Sequence, residues 1–216
     1  MKITAIIPVK TFSKAKTRLN LSSNQREDLC RIMLEEVVGI ISNTENIDKI
    51  IVVSKDEAAI KLTKKFGVKE IFDDDESGVN HAVSLADSYL ENNEWDTSIV
   101  FPQDIPFIQS EDIEHLIQFL KSPQSVLVVP SRRFDGTNAL LRYPHNLMKT
   151  HYDEDSYKLH LETGKSLTSN TSLIFLRRIM FDVDNQEDLK FLLSQNEKPE
   201  FCRKINQICK LTSKLI

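Results

Sequence analysis

The chain has 216 residues, 40% hydrophobic and 28% charged, with 28 basic against 32 acidic side chains and a formal net charge of −4. That length can enclose a sizeable core in one domain, and a mildly acidic chain without a basic run is not a general nucleic-acid binder. Five glycines, against an ordinary ~7% of residues, leave no G-x-G-x-x-G dinucleotide turn and no Walker A loop: Gly164-Lys165-Ser166 ends like one, but Leu159 stands where its first glycine belongs.

An apolar run at residues 3–9 predicts a buried strand. It is too short to span a bilayer and lacks a signal-peptide cleavage region. Residues 24–41 place Leu29, Met33, Val37, Ile40 and Ile41 on one helical stripe. A second buried strand follows at 49–54, a helix at 56–66 closed by Gly67, and a third strand at 68–72. Residues 77–92 predict a helix, and 98–101 a strand stopped by Pro102. A helix at 110–120 takes Ser110 as its N-cap. Strands are expected at 125–130 and 139–142, a short helix at 156–162, and strand-like segments at 172–176 and 179–183. Asn185 caps a helix over 185–193, and 201–216 forms a helical tail. The tail's Ile205, Ile208, Leu211 and Leu215 suit packing on the sheet or on a second copy, a homodimer.

Continuous apolar strands joined by helices imply an α/β fold, with a mostly parallel sheet covered on both faces in a single domain, 1–216. The chain reads as soluble and cytoplasmic, with no nucleic acid and no membrane as partner. Three scattered cysteines, Cys30, Cys202 and Cys209, suit buried thiols better than a disulfide scaffold. The acidic run Asp73-Asp74-Asp75-Glu76 is expected to face solvent, Trp95 to pack at the surface, and the five histidines show no metal-ligand spacing.

Parallel sheets bind ligands beyond the carboxyl ends of their strands. Four such segments carry unusual residues. After the first strand come Lys10, Lys14, Lys16 and Arg18, cations that can converge on one polyphosphate or form a solvated basic loop. Pro102-Gln103-Asp104-Ile105-Pro106 holds an aspartate in stiff backbone, suited to Mg²⁺ or to a turn. Asp135-Gly136-Thr137-Asn138 reads as a hairpin turn, or as short polar groups for a phosphate or carboxylate. Asp182 and Asp184 share one face of an extended segment; they can join Asp104 around a metal, or Asp184 can cap the following helix.

Taken in order, Pro8-Val9-Lys10, Ala15-Lys16-Thr17-Arg18-Leu19, Gly78-Val79-Asn80-His81-Ala82, Pro102 to Pro106, Asp135 to Leu141, Ser156 to His160 and Asp182 to Leu189 resemble the 2-phospho-L-lactate guanylyltransferase family of coenzyme F-420 biosynthesis. The resemblance runs from Ile3 to about Leu192. It implies a three-layer α/β/α nucleotidyltransferase fold, like that of nucleotide-diphospho-sugar transferases. It implies transfer of the GMP part of GTP to 2-phospho-L-lactate or phosphoenolpyruvate, with release of pyrophosphate and Mg²⁺ as cofactor.

The resemblance also assigns roles. Lys10, Lys16 and Arg18 match the phosphate-contacting loop, with Lys16, Arg18 and Asp104 as catalytic residues. Asp104, Asp182 and Asp184 match the metal ligands. Gly78 and Asn80 fall near the base or ribose, and Thr137, Asn138 and Ser156 near the acid. Where the family carries glycines before this serine, the chain reads Tyr152-Asp153-Glu154-Asp155. That departure admits a nucleotidyltransferase with another acceptor, such as a sugar phosphate or cofactor precursor. A non-catalytic nucleotide-binding relative is the third reading.

Overall fold

The computed structural model describes residues 1–93, 95–152, 155–195 and 197–210. Strands β1 (Ile3–Val9), β2 (Lys49–Ser54), β3 (Lys69–Phe72), β4 (Thr97–Val100), β5 (Ser125–Pro130), β6 (Thr137–Tyr143) and β7 (Thr171–Leu173) form one sheet. Their order is β3-β2-β1-β4-β6-β5-β7. Every pairing is parallel except those of β6, which runs antiparallel to both β4 and β5. From β1 the chain steps outward to β2 and β3, then returns to lay β4 on the other side of β1. That reversal opens a crevice beyond the carboxyl ends of β1 and β4, where open α/β sheets place their ligands.

The strands are apolar on both faces because helices cover both. Ala5, Ile7 and Val9 pack with Leu34, Val37 and Ile41 of α1 (Ser23–Ser42), Ala59 of α2 (Glu57–Thr63) and Ile113 and Leu116 of α4 (Ser110–Gln118). On the other face Ile6, Ile51 and Val53 meet Ala82, Val83, Ala86 and Leu90 of α3 (Val79–Glu91), and Tyr157 of α5 (Ser156–Leu167) packs against the same cluster. Each fully buried Ile or Leu contributes about 1.5–3 kcal/mol of burial. Arg142 of β6 is also fully buried, and its guanidinium forks onto both oxygens of Asp87 at 2.8 and 2.7 Å, clasping α3 to the sheet.

A third cluster joins α1 to α6 (Gln186–Ser194) and α7 (Pro199–Lys210). The tail helix therefore spends Phe201, Cys202 and Ile205 on neighbouring helices of its own chain, not on the sheet. Leu211 and Leu215 lie outside the described residues. All three cysteines are free thiols.

Several boundaries differ from expectation. Residues 179–183 form no strand, although Ile179, Phe181 and Val183 are buried in alternation. The alternation is real, but the segment crosses the ends of the strands: Arg132 N–H donates to Met180 O at 2.7 Å, and Val183 N–H donates to Asp104 O at 3.1 Å. Ser110 is the first helical residue of α4 and not its cap; Gln109 precedes it, and its N–H donates to the Asp112 carboxylate at 2.9 Å. The short helix expected at 156–162 continues to Leu167. Asn185 caps α6 as expected, accepting from Glu187 N–H at 2.9 Å and Asp188 N–H at 3.2 Å.

Candidate active site

The crevice is a cleft of about 640 Å³ whose walls include Lys10, Lys16, Arg18, Gly78, Asn80, Asp104, Thr137 and Asp184. These residues come from five separate segments, and the topology explains why they meet. Lys10 to Arg18 follow β1, and Asp104 follows β4. Because β6 is antiparallel, with Leu140 opposite Val100, its first residue Thr137 points back to the same sheet edge.

The loop after β1 is anchored by its apolar residues. Phe12, Ala15 and Leu19 are buried, while Lys10, Lys14, Thr17 and Arg18 are exposed. Phe12 N–H donates to Asp56 at 2.8 Å and Thr11 N–H to Glu76 at 2.6 Å. Lys16 adopts φ +55°, a left-handed turn that L residues other than Gly, Asn and Asp seldom take. This turns its side chain inward, where only 7% of it remains exposed. Its ammonium donates to Asp104 and, at 2.7 Å, to Asp184. Burial alone would lower the Lys16 pKa; the two carboxylates outweigh it and hold the ammonium above the ordinary lysine range. Neither Lys10 nor Arg18 has a hydrogen bond or ion pair among the described residues. They are the cations free to meet a ligand.

Asp182 sits behind this pair. Its carboxylate accepts from Asn138 Nδ2 at 3.1 Å, and the same amide donates to Ile179 O at 3.0 Å. Burial, then the charges of Asp104 and Asp184, push the Asp182 carboxyl up to about 7. Burial also opposes ionisation of Asp184, but Lys16 outweighs it and the group lies below the ordinary aspartate range. The three carboxylates thus compete for cationic charge. Their donor set is all oxygen, which fits a hard ion such as Mg²⁺, and two of them already share one cation, the Lys16 ammonium. Among the described residues no group of three or more such side chains stands in a metal-holding arrangement, and the Lys16 ammonium lies between Asp104 and Asp184. The residues fit the ion chemically, provided that Lys16 gives way.

On the β2–β3 side, Gly78 adopts φ +113° at the start of α3, a conformation open essentially to glycine alone. Asn80 Oδ1 accepts from Tyr152 N–H at 2.8 Å, tying α3 to the segment before α5. The acidic run is solvated as expected at Asp74 and Asp75, but not at its two ends. Asp73 is buried and accepts from Glu76 N–H at 3.0 Å, and Glu76 receives Lys14 Nζ at 2.5 Å besides Thr11 N–H. Asp73 and Glu76 line the cleft, and Glu76 clasps the cationic loop. Burial opposes the Glu76 charge, but the Lys14 and Thr11 hydrogen bonds prevail and hold its carboxyl down at about 2.

Three expected residues stand behind the cleft wall: Asn138, Ser156 and Asp182 are absent from its lining. Asn138 spends its amide on Asp182 and Ile179, and Ser156 Oγ contacts Thr137 Oγ1 at 3.0 Å. Glu76, Gln103, Tyr152 and His160 were not anticipated. Glu76 carried a signal, an acidic residue two positions before the Gly78 segment; His160 carried only its place in the Ser156 to His160 motif. Asp155 takes φ +54° at the start of α5, a left-handed conformation that glycine adopts readily and Asp tolerates. Asp153 and Glu154 lie outside the described residues.

Comparison with known proteins identifies the family and the fold. Residues 3–213 match the family described as "Guanylyl transferase CofC like". The chain is 30% identical over 210 residues to 2-phospho-L-lactate guanylyltransferase of Methanothermobacter thermautotrophicus, covering 95% of this chain and 92% of that one. It is 28% identical to 3-phospho-D-glycerate guanylyltransferase of Colwellia psychrerythraea, covering 97% and 99%. It is 27% identical to phosphoenolpyruvate guanylyltransferase of Conexibacter woesei, covering 89% and 87%. In fold it is similar to a candidate nucleotide-diphospho-sugar transferase from Desulfovibrio desulfuricans, with TM-score 0.76 at 16% identity over 100% of this chain and 97% of that one. The chain belongs to the CofC-like guanylyltransferase family, and its fold is that of the nucleotidyltransferases.

Proposed function

We propose that this guanylyltransferase joins the GMP part of GTP to 2-phospho-L-lactate or phosphoenolpyruvate, releasing pyrophosphate, in coenzyme F-420 biosynthesis. The observation that carries the reading is the Lys16 ammonium held between Asp104 and Asp184, beside the unpaired Lys10 and Arg18. This is an electrostatic cradle for two polyanions at the switch point of the sheet. An oxygen of the acid's phosphate attacks the α-phosphorus of GTP; that P–O bond forms while the bond from the α-phosphorus to the bridging oxygen breaks, and pyrophosphate leaves with the electron pair. The attacking oxygen is already anionic at neutral pH, so no general base is needed. The chain aligns the reactants and neutralises charge.

Lys10 and Arg18 hold the triphosphate, and Lys16 reaches the phosphates once it releases the carboxylates. Gly78 and Asn80 face the nucleoside, and Thr137 faces the acid. Asp104, Asp182 and Asp184 are the residues that would hold Mg²⁺, which neutralises phosphate charge when bound. Among the described residues no helix is long and apolar enough to cross a membrane, and we place the reaction in the cytoplasm with its charged substrates.

The acidic stretch before Ser156, which departs from the glycines that the family resemblance implies there, favours a second reading, in which another phosphorylated acceptor such as 3-phospho-D-glycerate is used. The test is a matrix of the four nucleoside triphosphates against the three acids and a sugar phosphate, with Mg²⁺, reading pyrophosphate. Release with GTP and one of the first two acids supports the proposal. Release only with another acceptor supports the second reading, and silence throughout from folded protein refutes both.

A further inference from the structure

Four groups, of which Thr137 lines the cleft, form one hydrogen-bonded chain. His151 backbone N–H meets His160 Nε2 at 2.7 Å, His160 Nδ1 meets Thr137 Oγ1 at 3.0 Å, and Ser156 Oγ meets Thr137 Oγ1 at 3.0 Å. A backbone N–H can only donate, so Nε2 is the acceptor and carries no proton. The proton of a neutral imidazole is therefore on Nδ1, which donates to Thr137. Two hydroxyl hydrogens remain for the Thr137–Ser156 pair, and their mutual contact uses one. The other has no acceptor among the described residues. With the opposite tautomer Thr137 would donate to His160, Ser156 would donate to Thr137, and no hydrogen would be left over.

We propose that His160 is a positioning residue whose Nδ1–H tautomer, fixed by the His151 amide, makes the Thr137–Ser156 hydroxyl pair a donor toward an anionic oxygen of the acid substrate. Thr137 lines the cleft with Tyr152 and Asp184, while Ser156 and His160 are buried behind it. Burial, then the neighbouring His151 and Arg142, push the His160 pKa down to about 3, so the imidazole stays neutral at working pH. The substrate class rests on the guanylyl-transfer reading; the tautomer does not.

Long-range ¹H–¹⁵N correlation on the full chain with ¹⁵N-histidine reads the tautomer directly. The signals are assigned by coupling across the His151 N–H···Nε2 bond or by their loss in His160→Leu. The result expected is a protonated Nδ1 and a bare Nε2 from pH 5 to 8; a protonated Nε2 or an averaged spectrum overturns the proposal. The kinetic arm compares His160→Leu with His160→Asn, whose amide can donate where Nδ1 did. Loss of an oriented donor to a charged oxygen raises the KM for the acid about tenfold in the leucine variant. The KM for GTP stays within about twofold, and asparagine restores most of the difference. Equal behaviour of the two variants, or a parallel rise in both KM values, overturns the assignment. If no acid is turned over, the guanylyl-transfer reading falls, and titration with phosphoenolpyruvate decides the rest: movement of the His160 signals upholds the donor, and no movement at millimolar concentration overturns it.

Discussion

Replacing Lys16 by alanine removes the cation that two carboxylates share. Lys16 is 7% exposed and Asp104 16%, so this contact is a nearly buried ion pair. Removing one partner of such a pair costs about 3–5 kcal/mol, because the other charge is left uncompensated. Asp184 is 41% exposed, and solvent screens its share to about 1 kcal/mol or less. The lower figure is therefore expected, about 3 kcal/mol. At roughly 2–4 °C per kcal/mol for a chain of this size, melting in EDTA should fall by about 6–12 °C. Mg²⁺ should then stabilise Lys16→Ala more than the parent protein, since an ion that binds only the folded state adds stability by mass action. The assay is a melting curve for both proteins in EDTA and in millimolar Mg²⁺. A variant as stable as the parent in EDTA, or an equal response of both to Mg²⁺, would refute the view that Lys16 and the metal compete for the same carboxylates.

Three further outcomes follow from the same electrostatics. Asp182 has its folded pKa raised to about 7, above the unfolded ~3.9, so the folded state binds the extra proton and metal-free stability falls as pH rises from about 4 to about 7. Asp182→Asn should flatten that fall and be the more stable protein at pH 8 in EDTA; unchanged urea midpoints at pH 5 and 8 would contradict it. Glu76, held at about 2, contributes stability that is present above ~4.3 and lost as pH falls toward 2. Glu76→Ala should cost about 1 kcal/mol and raise the KM for GTP by freeing the Lys10 to Arg18 loop; an unchanged KM would disconnect the clasp from the nucleotide. Arg142→Met should cost about 3–5 kcal/mol by stranding Asp87, and the double variant with Asp87→Leu should recover most of it, as measured by urea unfolding. No recovery would mean that packing, and not charge, holds α3 to the sheet.

The sheet and its helices were legible because their signals are local. β1, β2 and β5 are bounded where the apolar runs stop, and Asn185, Gly67 and Pro102 punctuate the chain as their chemistry requires. Residues 179–183 misled because alternating burial reports which side chains face a core and says nothing of which backbone they bond to. Here Phe181 and Val183 face the core between α1, α6 and α7, Ile179 faces the sheet cluster, and Val183 bonds to Asp104 O. The site was legible as separate cations and carboxylates. The pairing of Lys16 with the carboxylates was not, because Lys16 and Asp184 are 168 residues apart; the β1–β4 adjacency brings Lys16 to Asp104, and the Val183 N–H bond to Asp104 O brings Asp184 to both. Glu76 and His160 were hidden for a related reason. An acidic run looks solvated until a loop 65 positions away closes on it, and a lone histidine becomes informative only when both ring nitrogens have partners.

The central claim is guanylyl transfer at the Lys16–Asp104–Asp184 cradle. The most direct measurement incubates [α-³²P]GTP and Mg²⁺ with 2-phospho-L-lactate or phosphoenolpyruvate, using the parent protein and Asp104→Asn. The account predicts one pyrophosphate for each labelled GMP–acid adduct, and a fall of about 10²-fold or more in Asp104→Asn that still binds GTP and unfolds cooperatively. Folded parent protein that forms no adduct with either acid, or Asp104→Asn that turns over as fast as the parent, would contradict it.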